Sequence, residues 1–113
     1  MAQSEFFIFG DSLPFEEVED GITRQILGYD DGLMMVKACF KEGAIGYVHH
    51  HTQSQVTYVE SGEFEVQIGS EIKTLKTGDC FFVPANIEHG AICKKAGALI
   101  DTFNPHREDF LAE

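Results

Sequence analysis

A chain of 113 residues has room for one hydrophobic core, and a hydrophobic fraction of 43% with ten phenylalanines supplies a globular interior. A formal net charge of -11 argues against nucleic acid or anionic membrane as partner, since both reward clustered Lys and Arg. It also means that an anionic ligand, repelled at long range, needs a concentrated local positive charge. The start Met1-Ala2-Gln3-Ser4-Glu5 has no basic region, and no segment approaches the ~20 apolar residues of a membrane span. Cys39, Cys80 and Cys93 form no Cys-x-x-Cys spacing and lie in apolar runs, which reads as buried free thiols in a reducing compartment, the cytoplasm.

Phe6 to Phe9 reads as a short first strand, followed by a turn at Asp11-Ser12-Leu13-Pro14 and a turn or single helical turn over Phe15 to Val18. Glu16, Glu17, Glu19 and Asp20 read as a solvated face. Ile22 to Leu27 is the next strand, closed by Gly28 and an Asp30-Asp31-Gly32 turn. Leu33 to Phe40 follows, and with Lys37 toward water its period of two sends Met34, Val36, Ala38 and Phe40 inward.

His49 and His51 then stand two apart, which on an extended segment puts both imidazoles on one face, and Gln55 keeps the same parity. Gln55 to Glu60 and Glu63 to Ile68 read as a hairpin around Ser61-Gly62, with Phe64, Val66 and Ile68 on its packed side. Glu71 to Leu75 and Cys80 to Val83 are further strands, the second ended by Pro84. Glu88 to Cys93 and Ala98 to Phe103 are the last, separated by Lys94-Lys95-Ala96-Gly97, and the tail leaves the sheet at Pro105. Many short strands with turns between them, and no long helix, predict an all-β sandwich or barrel.

A neutral imidazole nitrogen is the commonest protein ligand for transition metals. His49, His51 and His89, with Gln55 completing the set or standing behind it, form an uncharged group of ligands for a divalent transition metal (Zn, Ni, Mn, Fe or Co) whose full charge stays available to an anionic oxygen. On the last strand Leu99, Asp101 and Phe103 share one parity, and Ile100 and Thr102 share the other. If Asp101 points into the barrel it is a carboxylate suited to proton transfer; if outward, it is an ordinary strand residue. Arg107, one of two arginines with Arg24, has the planar fork that binds carboxylates, although the acidic tail offers it a surface ion pair instead. His50 and His106 are expected to face solvent or to stand behind the ligands.

These stretches resemble the paired motifs of the cupin superfamily. Gly43, His49, His51 and Gly62 match the first motif and Gly78, Pro84 and His89 the second, with Gln55 in place of the usual Glu, Asn86 for Gly and Cys93 for a closing Asn. The resemblance implies one cupin domain over residues 1–113, a double-stranded β-helix or jelly-roll barrel. Within the cupins the chain is similar to the small single-domain KdgF proteins of pectin degradation, most distinctively at the ending Asp101-x-Phe103-x-Pro105-x-Arg107-Glu108-Asp109-Phe110. That similarity implies an enzyme, a ring-opening isomerase acting on a small anionic sugar acid, the unsaturated uronates of pectin or alginate. It also implies metal ligands His49, His51, Gln55 and His89, with Asp101, Phe103 and Arg107 serving the substrate. A non-catalytic sugar-acid sensor and a metal dioxygenase are the alternatives. By analogy with small cupins the chain is expected to form a homodimer, with Phe6 to Phe9 adding to a neighbour's sheet or closing its own.

Overall fold

The computed structural model describes residues 3–111. Eight antiparallel strands make up the fold: β1 (Glu16–Glu19), β2 (Ile22–Asp30), β3 (Leu33–Phe40), β4 (Ile45–His49), β5 (Ser54–Ile68), β6 (Glu71–Lys76), β7 (Cys80–Val83) and β8 (His89–Asn104). Among the described residues the only helical elements are two 3-10 turns, Gly10–Ser12 and Glu108–Leu111. Among the described residues no helix is long and apolar enough to cross a membrane.

The two long strands, β5 and β8, build the barrel. The first part of β5 pairs with β7 and with the end of β8, which continues to β3, β2 and β1; its second part pairs with β6 and with the start of β8, which continues to β4. Each long strand thus serves two packed layers, the jelly-roll arrangement in which sheets close on each other. The expected hairpin at Ser61-Gly62 is absent, because the chain runs straight through it. The register with β8 slips at Val59, Ser61 and Glu63, and these bulges bend the strand from one layer to the other. For the same reason Lys94 to Gly97 is not a loop, and Glu88 to Cys93 and Ala98 to Phe103 belong to one strand.

Gly62 shows why this crossing reads locally as a turn. Its φ is 87°, and a Cβ there would sit 2.6 Å from the carbonyl oxygen of Lys95. Gly62→Ala is therefore expected to destabilise the fold by about 1–3 kcal/mol, read as a lower midpoint in urea denaturation.

The predicted parity of β3 holds: Met34, Val36, Ala38 and Phe40 are all buried. Phe40 and Phe64 meet edge to face at 5.2 Å in the main core, and Met34, Val36 and Phe103 form a second apolar cluster beneath the tail. Four other expectations fail. Phe6 to Phe9 is not a strand; Phe6, Phe7 and Phe9 are exposed, and the segment is tied to the sheet through Ser4, whose N–H donates to the Tyr29 carbonyl. A β-favouring composition makes a strand only where a ladder partner is available. Phe15 to Val18 is not helical, since Glu16–Glu19 is an acidic edge strand, and β2 continues past Gly28 to Asp30. Of the three free cysteines Cys93 is buried and Cys39 partly so, but Cys80 is exposed at the start of β7.

Candidate active site

β4 ends beside the beginning of β8, where His49 and His89 are directly opposed. The strands approach closely because Gly90 has no side chain: a Cβ there would lie 2.8 Å from the Gly46 carbonyl oxygen. His51 follows in the connection to β5. The three ring centroids are 4.4 Å (His49–His89), 4.8 Å (His51–His89) and 5.5 Å (His49–His51) apart, and one nitrogen from each lies within 4.8 Å of the others.

The backbone decides which nitrogen faces the centre. Nδ1 of His49, His51 and His89 donates to the carbonyls of Tyr47 (2.8 Å), Gln53 (3.0 Å) and Ile87 (2.9 Å), and a carbonyl can only accept. In the neutral ring each Nε2 is consequently a bare lone pair. Burial pushes the His89 imidazolium down to about 4 and, with the Arg107 guanidinium adding repulsion, holds His51 below the ordinary histidine value, so both rings are neutral at pH 7. Nε2 of His89 is buried without a hydrogen-bond partner.

Gln55 is buried on β5 with its Oε1 3.0 Å from His51 Nε2. Its amide nitrogen is spent on Thr57 Oγ1 (2.8 Å) and Asp101 Oδ1 (3.3 Å). Two acceptor atoms therefore face each other with no proton between them, beside an orphaned third. A cation between these lone pairs satisfies all of them, so the residues fit a metal.

Asp101 stands opposite Thr57 in the β5–β8 register, and the Thr57 hydroxyl donates to its carboxylate at 2.6 Å. The parity question of β8 is answered by the cavity: Leu99, Asp101 and Phe103 all line one opening of about 340 Å³, together with His49, Gln55, His89 and Arg107. Burial pushes the Asp101 carboxyl up to about 6, against the opposing pull of the Thr57 hydroxyl and the Arg107 charge. Phe103 is buried with its ring edge-on to His51 at 5.7 Å.

Arg107 makes the ion pair its acidic tail offers and also reaches the cavity. Its Nε and Nη2 grip Asp109 at 3.1 and 3.0 Å, while the guanidinium, largely buried, lines the cavity and lies over Phe110 at 4.2 Å. His50 is exposed; the His106 side chain is mostly buried, 4.0 Å from Asp31, and its carbonyl accepts from Gln53.

The family model described as cupin domain matches residues 36–103. The pectin degradation protein KdgF of Dickeya dadantii is 46% identical over 107 residues, which cover 93% of this chain and 97% of that protein. The chain is a cupin of the KdgF family. Two solved structures agree with that assignment. An RmlC-like cupin from Shewanella frigidimarina superposes with a TM-score of 0.95 at 53% identity, covering 97% of this chain and 99% of that one, and KdgF from a Halomonas species with 0.89 at 35%, covering 95% and 99%.

Two departures of this KdgF-family cupin from the general cupin motif have physical explanations. Asn86 replaces Gly at a φ of 66°, a left-handed conformation that Asn tolerates better than other side-chain-bearing residues, and its N–H donates to the His51 carbonyl at 2.7 Å. Gln55, in place of Glu, has an amide nitrogen that donates to Thr57 and Asp101, which a carboxylate cannot do. Thr57, fully buried between Gln55 and Asp101, escaped the sequence reading; its parity with Gln55 was the available signal, masked because a threonine in a strand is unremarkable.

Proposed function

We propose that this cupin is a metal-dependent isomerase that opens the ring of 4,5-unsaturated uronates derived from pectin or alginate, giving linear keto sugar acids. The observation that carries the reading is a three-histidine cluster of which two members, His49 and His89, line one cavity together with the Asp101 carboxylate and Arg107. The relative named for pectin degradation makes a uronate the natural guest.

His49, His51, His89 and Gln55 hold a divalent transition metal, which when bound supplies an electrophilic centre for the substrate's oxygens without help from an anionic ligand. Arg107 orients the carboxylate with the donors left free by Asp109, and Phe103 forms the apolar wall that limits how the ring sits. Asp101 accepts the proton of the hemiacetal hydroxyl. The anomeric carbonyl then forms, the bond from the anomeric carbon to the ring oxygen breaks, and that oxygen leaves as an enolate. Return of a proton to the neighbouring carbon gives the ketone, so the reaction is an isomerisation with no net redox change. A carboxyl whose proton affinity has been raised by burial suits both transfers.

Free thiols and an anionic guest fit a cytoplasmic enzyme, and the exposed Phe6, Phe7 and Phe9 fit a homodimer contact. The deciding assay follows the ultraviolet absorbance of an unsaturated monouronate against its spontaneous conversion. Metal-loaded enzyme is expected to accelerate the decay, chelation to return it to the blank, and added divalent metal to restore it. Substrate bound but recovered unchanged would mark a sensor, and oxygen uptake a dioxygenase.

A further inference from the structure

Arg24 is a cavity residue with no part in that chemistry. It projects from β2, its side chain largely buried, and its Nε donates to Glu16 Oε1 at 2.7 Å across the β1–β2 register. Its Cζ lies 3.8 Å from the centre of the Phe110 ring. Arg107 lies 4.2 Å from that same centre, and one face of a benzene ring has no room for two guanidinium groups. Phe110 is therefore held between the two arginines, and through it the tail and β2 together form one wall of the cavity.

The strand register separates Arg24 from the reacting groups: it stands opposite Ala38, which stands opposite Leu99, so β3 lies between Arg24 and the strand that carries Asp101 and His89. Arg24 thus lines the cavity from its β2 wall. Its Nη groups make no hydrogen bond among the described residues, and Glu16 already balances its charge. A neutralised guanidinium with idle donors is a poor trap for a second anion and a good partner for hydroxyl oxygens.

We propose that Arg24 is a substrate-binding residue that hydrogen-bonds the hydroxylated end of the sugar acid, opposite the carboxylate held near Arg107 and the histidines. This rests on the uronate reading above for the class of ligand. It makes Arg24 the residue that distinguishes a sugar acid from a plain carboxylic acid.

Two unreactive probes test it: galacturonate, and tetrahydropyran-2-carboxylate, which keeps the ring and the carboxylate but has no hydroxyls. Their dissociation constants are measured for the wild type and Arg24→Ala, with melting temperature as the check on folding. The expected result is about tenfold weaker binding of galacturonate, the loss of one charge-assisted hydrogen bond, with the hydroxyl-free acid unaffected. In turnover of the unsaturated uronate, KM is expected to rise by a similar factor with kcat within about threefold. Where the alanine variant does not fold, Arg24→Lys, which keeps the charge but lacks the fork, is expected to lower the same affinity ratio. Equal weakening of both acids, or a fall in kcat alone, would reduce Arg24 to a prop for Phe110 and overturn the inference. A wild type that binds neither acid overturns the uronate reading and this inference with it, whereas a wild type that binds galacturonate as tightly as the Arg24 variants do overturns this inference alone.

Discussion

Asp101→Asn is expected to lower turnover of the unsaturated uronate about 10²–10⁴-fold, the range that a positioned general acid or base contributes, while the metal bound per chain stays at the wild-type level. The substitution is nearly isosteric. The asparagine carbonyl still accepts the Thr57 hydroxyl that donates to the carboxylate at 2.6 Å, so the local strand pairing is kept. What disappears is the ability to take a proton. Steady-state rates from the ultraviolet assay, with metal content measured on the same samples, separate this from a collapse of the site. Wild-type turnover in the variant would remove Asp101 from the mechanism, and loss of metal together with activity would make it a structural neighbour of Gln55.

Most of the site is legible from the sequence because it rests on strand parity, which survives ignorance of the fold. His49 and His51 need only a locally extended backbone to share a face, and the direction of Met34, Val36, Ala38 and Phe40 only a polar neighbour to set the phase; Gln55 reaches the same centre although the chain bends at Thr52 and Gln53, so its count from His51 is not what places it. Parity fails on β8, where Ile100 and Leu99 are both apolar and the strand is flanked on both sides by others. The direction of Asp101 is decided there by pairing with Thr57, a contact between positions 44 apart in the chain. The Ser61-Gly62 crossing was misread for a related reason: a positive φ looks the same in a hairpin turn and in a bulge, and only the partner strand distinguishes them. Phe110 and Arg24 were out of reach because their relation comes from a tail folding back across β2, with no periodicity to announce it.

Gln55→Glu restores the residue most cupins carry at this position, and it is expected to be damaging, with metal retained and turnover reduced about 10²-fold or more. The reason lies on the far side of the amide from the metal centre. Gln55 Nε2 is 3.3 Å from Asp101 Oδ1; a glutamate puts a second carboxylate oxygen there instead of a donor. At that separation two like charges repel by on the order of 5 kcal/mol even with an effective dielectric constant near 20. Asp101, whose carboxyl burial already pushes up to about 6, then holds its proton at neutral pH and no longer acts as a base. The new anion also cancels part of the dication's charge, weakening its hold on an anionic guest. Gln55→Met, which removes the donor without adding charge, separates the two effects: it is expected to keep more activity than the glutamate if repulsion at Asp101 dominates, and metal analysis of both variants reports whether the amide oxygen is needed as a ligand. A glutamate variant as active as the wild type would show that the neutrality of this ligand set has no bearing on the proton transfer.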